Sequence, residues 1–282
     1  MTERHSSSTA FRAATLRAVH QLIDEEPKIL NDAIVLRLLD ASTLDHIRLN
    51  PSKFRTPTMI AVRSHIVLRS RYTEDRLAEA VDNGVHQYLM LGAGLDTFPY
   101  RQPHWARLLR IFEVDHSASQ RSKRERLALA GIEFPSNVEL IACDFETTSL
   151  GDCLRKGSFD FGKPAFLSWL GVTMYLSTDA IDAAFRFVNS LPKSSEIVFT
   201  YASPASTAKE KYPEPSIAAF AAAHGEPWRT RFEPNDLARK LHGLGFSTVS
   251  FLSASEADTR YFRGRHDSLH APRKVGIVTA TV

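Results

Sequence analysis

The sequence is poor in the features that mark several large classes of protein. Its 282 residues include two cysteines, Cys143 and Cys153, too few for a disulfide scaffold or a cysteine-bound metal. No apolar run approaches the roughly 18 residues that suggest a transmembrane helix. Charge of one sign is not in excess, because 35 basic and 32 acidic residues leave a net charge of +3. We therefore expect no membrane segment, no nucleic-acid partner and no metal site.

What is present is an ordinary globular mixture, with 43% hydrophobic and 24% charged residues. The N-terminus, from Met1 to Arg12, is polar and lacks the apolar segment of a signal peptide. Two cysteines fit a reducing compartment, so we expect a cytoplasmic protein. A monomer and a homodimer are both compatible with the sequence.

The first part of the chain has the spacing of helices. Apolar residues recur at helical intervals from Ala10 to about Asp24, and a second helix is predicted over Leu30 to Leu39. A third begins at Pro57, with Thr56 as its N-cap, and extends to about Val81. Residues 1–83 are thus predicted to form a helical N-terminal cap.

After residue 84, short segments of strand-forming residues alternate with helical patterns, which is typical of βαβ units and a parallel sheet. The predicted strands are Gln87 to Leu91, Leu108 to Val114, Val138 to Ala142, Ala165 to Leu170, Glu196 to Tyr201, Phe246 to Leu252 and Val275 to Thr281. The last two can form an antiparallel pair. The predicted fold class is α/β, with a Rossmann-like, seven-stranded, mostly parallel sheet. Residues 84–202 would be its core, and residues 236–282 would complete the sheet.

Residues 203–235 interrupt this alternation. Prolines recur within them, among them Pro204, Pro213, Pro215 and Pro227. We interpret the segment as an insertion after the fifth strand that acts as a lid or determines substrate specificity. Trp228 and Arg229 within it are candidate substrate contacts.

The sharpest local signal is a strand that leads directly into Gly92-Ala93-Gly94. Glycines at such a turn let the backbone approach a ligand closely, at the strand edge where open parallel sheets bind ligands. The next predicted strand ends in two acids, Glu113 and Asp115, and Asp115 lies 21 residues after Gly94. A carboxylate near this offset commonly binds ribose hydroxyls. Either acid is a candidate, and Asp115 is favoured because it comes last.

The segment from Gly92 to Thr97, which we call the glycine loop, also distinguishes between adenosine cofactors. A nicotinamide site uses a third glycine where this chain has Thr97, and Asp96 would repel a pyrophosphate. A carboxylate suits a cofactor that has no phosphate and carries an ammonium and a sulfonium, which is S-adenosylmethionine. Asp144 and Phe145 follow the next strand, where they can contact adenine. The same pair fits a helix N-cap followed by a core aromatic residue.

These motifs lie in a chain that resembles the leucine carboxyl methyltransferase family, a branch of the class I S-adenosylmethionine-dependent methyltransferases. The resemblance extends over most of the chain. It is highly specific from Arg69 to Asp115 and is not specific over residues 203–235. The matching segments are Arg17-Ala18-x-His20, Arg69-Ser70-Arg71-Tyr72-x-x-Asp75, Gly84-Val85-x-Gln87, Leu91-Gly92-Ala93-Gly94-Leu95-Asp96-Thr97 with Arg101, Phe112-Glu113-Val114-Asp115 with Lys123, Asp144-Phe145, Gly171-Val172-x-Met174-Tyr175-Leu176, and Arg260-Tyr261-Phe262-x-x-Arg265.

The resemblance implies which residues hold the cofactor and its product, S-adenosylhomocysteine. They are Arg69, Gly92, Ala93, Gly94, Glu113 or Asp115, Asp144, Phe145 and Leu170. Arg69 would bind the carboxylate of the cofactor's methionine part, with Arg71 as the second choice. Leu170 stands where eukaryotic members carry a glutamate. The acidic contact to the cofactor's amino group is therefore missing or supplied elsewhere.

The predicted function is methyl transfer from S-adenosylmethionine to a small-molecule acceptor, with a carboxylate or hydroxyl oxygen favoured. A carboxylate needs no base, whereas a hydroxyl gains from one, and His20, His65 and His224 are the candidates. Tyr175 and Tyr201 follow or end the fourth and fifth strands, beside the expected position of the methyl group.

Three alternatives remain open at this point. They are N-methylation of a heterocyclic metabolite, an NAD(P)-dependent oxidoreductase, and a non-catalytic adenosine-binding protein. The oxidoreductase is disfavoured by Asp96 and Thr97, and by the lack of a Tyr-x-x-x-Lys pair.

Overall fold

The computed structural model describes residues 8–204, 227–272 and 275–282. The described residues form a seven-stranded sheet in the order β3-β2-β1-β4-β5-β7-β6. The strands are β1 Gln87–Leu91, β2 Arg110–Asp115, β3 Val138–Ala142, β4 Phe166–Trp169, β5 Glu196–Ala202, β6 Thr248–Phe251 and β7 Val275–Thr281. Strands β1 to β5 are parallel, and β7 lies antiparallel between β5 and β6. The predicted α/β fold class and the antiparallel final pair are confirmed.

Helices precede the sheet and connect its strands. They are α1 Ser8–Ile23, α2 Ala33–Leu38, α3 Ala41–Leu49, α4 Pro57–Asp82, α5 Ser117–Leu129, α6 Leu150–Leu154, α7 Thr178–Asn189, α8 Pro234–Leu244 and α9 Ala254–Ala257. Thr56 caps α4 as predicted, because its side chain accepts from the Met59 N–H and Pro57 opens the helix. The sequence analysis missed α3, which has Ile47 as its buried residue and begins at the N-cap Asp40.

The hydrophobic core lies on both faces of the sheet. On one face, residues such as Leu89 and Phe112 pack with α6, α7 and α8, for example against Phe185. On the other face, Tyr88 and neighbouring strand residues pack with α4. Strands that are buried on both faces appear in a sequence as continuous apolar runs, which is why their positions could be predicted.

Helices α1, α2 and α3 pack together around a smaller apolar cluster that includes Leu95 of the glycine loop. Two buried charges anchor this cap, because Arg63 donates to both oxygens of Asp24 at 2.8 and 2.9 Å. His20 Nδ1 lies 2.8 Å from the same carboxylate. The cluster of α1, α2 and α3 is therefore joined to the glycine loop through Leu95 and to α4 through Arg63.

The structure joins Cys143 to Cys153 in a disulfide with a Cα–Cα distance of 5.7 Å, whereas the sequence analysis expected a reducing compartment.

Residues 205–226, which make up most of the predicted lid and include His224, lie outside the described residues. The lid and the segment boundaries stay predictions. No helix in the described ranges is long and apolar enough to cross a bilayer.

Candidate active site

A cavity of about 750 Å³ opens beyond the carboxyl ends of β1 and β4. Strand β1 pairs with β2 on one side and with β4 on the other, so the chain order reverses at this point of the sheet. Such a switch point is where open parallel sheets bind their ligands. The volume is typical of small-molecule sites.

The glycine loop forms one wall of the cavity. Gly92 and Gly94 have φ values of +68° and +46°, in the left-handed region that glycine adopts without strain. A Cβ atom at Gly92 would lie 2.4 Å from Cγ2 of Val172, so no side chain fits there. A Cβ at Gly94 would lie 3.2 Å from Ala10, which shows that α1 covers this loop. Gly92, Ala93 and Gly94 all line the cavity.

The two acids at the end of β2 have different environments. Asp115 lines the cavity, and its carboxylate accepts from the Gly94 N–H at 2.6 Å and the His116 N–H at 2.7 Å. Burial raises the pKa of Asp115 in spite of these bonds. Glu113 is 1% exposed, pairs with Lys123 Nζ at 2.7 Å and does not line the cavity. Of the two candidates for the ribose, the structure brings Asp115 to the site.

The residues after β3 and β4 form the opposite walls. Asp144 and Phe145 line the cavity, as does Leu170. The Asp144 carboxylate accepts from the Glu146 N–H at 3.0 Å, and the Phe145 ring lies 5.9 Å from the Trp169 ring. The positions predicted to contact adenine therefore border the cavity.

Arg69 extends from α4 into the cavity, and its Nε is buried without a hydrogen-bond partner. Burial, together with the nearby positive charge of Arg17, lowers the pKa of Arg69 to about 10. Arg71 is 47% exposed and pairs with Asp75 at 2.8 Å, and it does not line the cavity. The structure therefore favours Arg69 over Arg71 as the group that meets an anionic ligand.

A second arginine fixes the cavity wall rather than offering a free charge. Arg17 donates to Asp32 at 2.8 Å and to the Leu95 carbonyl at 2.6 Å. Asp32 is fully buried, caps α2 and accepts from the Thr97 hydroxyl at 2.6 Å. This network holds the glycine loop against the cap. The sequence analysis missed Asp32, whose signal was its position directly before a helix.

The residues predicted to take part in catalysis fall into two groups. Tyr175 lines the cavity in the short turn after β4. Tyr201 does not; it is 4% exposed, and its ring packs against Phe251 and Gly276. His20 does not line it either, since it is fully buried against Asp24. The antiparallel neighbour of β5 covers Tyr201, and the cap interior encloses His20.

His65 is also buried, with both ring nitrogens unpartnered, and it does not line the cavity. Burial and the nearby Arg69 lower its pKa to about 3, so the ring is neutral at physiological pH. It is therefore poorly suited to accept a proton from an acceptor in the cavity.

Arg229 lines the cavity and follows the undescribed part of the predicted lid. Its guanidinium pairs with Glu146 at 3.0 Å, and Glu146 also accepts from the N–H and hydroxyl of Ser177, both at 2.8 Å. Trp228 packs instead with Met174 and Ala202 and does not line the cavity. Of the two predicted substrate contacts, the structure brings Arg229 to the site.

Gly171 is expected to be necessary for the position of Arg69. Its φ is +75°, and a Cβ there would lie 2.4 Å from Arg69 Nη1. We expect Gly171→Ala to displace the guanidinium and weaken binding of S-adenosylhomocysteine about tenfold, as the loss of one charged hydrogen bond would. Calorimetric titration measures this effect.

The matched control is Gly264→Ala. Gly264 has a φ of +79°, and no atom lies within 4 Å of the position that a Cβ would take. The backbone cost of about 1–2 kcal/mol is therefore the same as at Gly171, but without a clash. The substitution should lower stability and leave the affinity unchanged. Equal losses of affinity in both variants would contradict this role of Gly171.

The sequence of this chain is similar to those of known proteins. A family model described as leucine carboxyl methyltransferase matches residues 10–189. A Bacillus subtilis protein named "Putative S-adenosyl-L-methionine-dependent methyltransferase YktD" is 30% identical over 294 residues, which cover 96% of each chain. The cofactor of this group is therefore S-adenosylmethionine.

Solved structures show the same fold. A Thermobifida fusca protein has a TM-score of 0.57 at 17% identity, over 95% of this chain and 93% of its own. A DUF574 family protein from Streptomyces avermitilis has a TM-score of 0.56 at 17% identity, over 96% of both chains.

Proposed function

The chain belongs to the leucine carboxyl methyltransferase family of S-adenosylmethionine-dependent methyltransferases, and from that premise we propose that it methylates an oxygen atom of a small-molecule acceptor. The observation that carries the proposal is the cavity at the β1–β4 switch point, which an unpaired, buried arginine borders. Family membership sets aside the oxidoreductase and the non-catalytic adenosine-binding protein.

The residues around the cavity fit the cofactor. The orphaned Nε of Arg69 is a buried donor that lacks an acceptor, which the carboxylate of a methionine part would supply. Asp115 would bind the ribose hydroxyls, and Asp144 and Phe145 would contact adenine, since all three line the cavity. Asp115 ends β2, and Asp144 and Phe145 follow β3. These residues therefore lie at the same edge of the sheet as the glycine loop that follows β1.

When bound, the cofactor supplies a methyl group that is activated by the positive charge on sulfur. The chain then has to align the acceptor with that methyl group and exclude water. Alignment of this kind can contribute about 7–11 kcal/mol to lowering a barrier. The wall after β4, formed by Leu170, Gly171, Val172 and Tyr175, is the surface available for this task.

The composition of this wall supports an oxygen acceptor that carries no proton. Among the described residues that line the cavity after β4, none is a histidine or a lysine. A carboxylate acceptor needs no base, so it requires nothing that this wall lacks. A hydroxyl acceptor would have Tyr175 as the ionisable side chain on this wall. We therefore place carboxylic acids first and hydroxyl compounds second.

The chemistry of the product tests the proposal. The enzyme is incubated with cofactor labelled in the methyl group and with panels of carboxylic acids, phenols and nitrogen heterocycles. Mild base releases labelled methanol from methyl esters, but it leaves methyl ethers and N-methyl products intact. We expect labelled methanol from the carboxylic acids. Arg69→Met is the negative control and should release much less of it. Label that accumulates only in N-methylated heterocycles would contradict methylation at oxygen.

A further inference from the structure

The methionine part of the cofactor carries an ammonium group as well as a carboxylate. A buried ammonium needs an anionic or hydrogen-bonding partner, because desolvation without one is costly. Leu170, directly after β4, lines the cavity but offers only an apolar side chain. An acidic side chain for the ammonium group must therefore come from another element of the cavity wall.

We propose that Asp96, in the glycine loop after β1, binds the ammonium group of the cofactor. Asp96 lines the cavity. Its Oδ1 accepts from the Phe98 N–H at 2.9 Å, which fixes the orientation of the carboxylate. Within the described residues, no hydrogen bond reaches its other oxygen, Oδ2. This inference rests on the proposed placement of the methionine part beside Arg69.

The other acids that line the cavity are less suited to this task. Both oxygens of Asp115 already accept backbone N–H groups, and Glu146 is engaged by Ser177 and Arg229. Asp144 follows β3, which is separated from β4 by two strands. Asp96 follows β1, the direct neighbour of β4.

The local charges match a zwitterion. Arg69 has no ion pair or hydrogen bond among the described residues, whereas the neighbouring Arg17 is compensated by Asp32. Arg69 and Asp96 are close enough to interact electrostatically. Burial disfavours ionisation of Asp96, but the charges of Arg17 and Arg101 outweigh it and lower the pKa of this carboxyl. The cavity thus offers an unpaired cation and an ionised acid to a ligand with one charge of each sign.

A pair of ligands isolates this contact. The first is S-adenosylhomocysteine, and the second is its analogue in which hydrogen replaces the amino group. Both are titrated by calorimetry into the wild-type protein and into Asp96→Asn, which keeps an oxygen for the Phe98 N–H. We expect the wild type to prefer the amino-bearing ligand by about 10–150-fold, the worth of a charged hydrogen bond. Asp96→Asn should lose most of this preference while binding the analogue as the wild type does.

Asp115→Asn is the control, because a residue at the ribose should weaken both ligands by the same factor and keep the preference. A preference that persists in Asp96→Asn would overturn the inference and leave the cofactor site intact. Equal affinities of the wild type for both ligands would also overturn it. Failure of the wild type to bind either ligand would instead contradict the proposed site as a whole.

Discussion

Replacing Lys123 by methionine is expected to lower the free energy of unfolding by about 3–5 kcal/mol, the usual cost of leaving a buried charge without its partner. Lys123 is 2% exposed, and Glu113, its partner at 2.7 Å, is 1% exposed. The second oxygen of Glu113 already lacks a hydrogen-bond partner. Removal of the ammonium would therefore leave the carboxylate with no compensating charge in direct contact. Urea denaturation measures the loss.

This loss should depend on pH in a defined direction. Burial raises the pKa of Glu113 above its ordinary value, although Lys123 opposes the shift. A carboxyl with a raised pKa in the folded state stabilises the fold when it is protonated, and that contribution disappears as the pH rises through the folded-state pKa. Because Lys123 lowers the pKa of Glu113, its removal raises that pKa further, so Lys123→Met loses more stability than the wild type as the pH rises to neutral. The deficit of Lys123→Met should therefore be largest near neutral pH and should shrink in acid.

Two further variants make the first prediction specific. Lys240→Met removes one partner of a partly exposed pair with Asp182, at side-chain exposures of 28% and 19%, so it should cost much less, about 1 kcal/mol. The double variant Lys123→Met with Glu113→Leu removes both buried charges and should recover most of the stability. It should also bind S-adenosylhomocysteine, because Glu113 does not line the cavity. A stable double variant without binding would contradict the position of this ion pair outside the cofactor site.

Arg69→Met is expected to weaken the binding of S-adenosylhomocysteine by about 10–150-fold, the loss of a charged hydrogen bond. The reason is that Arg69 is the buried cation whose Nε has no partner, directly at the cavity. Methionine keeps the length and apolar contacts of the stem but removes the charge. Calorimetric titration gives the change in dissociation constant.

Arg71→Met is the natural control for this variant. It lies two residues away on the same helix, but its charge is half-exposed and paired with Asp75. We expect its affinity for S-adenosylhomocysteine to equal that of the wild type. A larger loss in Arg71→Met than in Arg69→Met would reverse the assignment of the carboxylate ligand.

The sheet and the glycine loop were predictable because their physical constraints are local. The strand Gln87–Leu91 is buried throughout, so it reads as an apolar run with the bounds that the structure has. Gly92 and Gly94 have left-handed backbone conformations, and glycine in a predicted turn indicates such a conformation. The cap of α4 at Thr56 and Pro57 was predictable for the same reason.

The roles of individual site residues could not be predicted in the same way, because they depend on contacts between distant parts of the chain. Glu113 and Asp115 point to the same side of β2, so alternation could not separate them. Only the folded structure shows that Glu113 forms a buried ion pair with Lys123 of α5. Similarly, β7 covers Tyr201 and the cap encloses His20, and neither neighbour is visible in the local sequence.

The most direct test of this account is a crystal structure of the protein with S-adenosylhomocysteine bound. We expect the ligand in the cavity beyond β1 and β4, with its carboxylate at Arg69, its amino group at Asp96 and its ribose hydroxyls at Asp115. We expect adenine between the Asp144 carboxylate and the Phe145 ring. A ligand bound elsewhere, or bound in this cavity with its amino-acid end away from Arg69, would contradict the account.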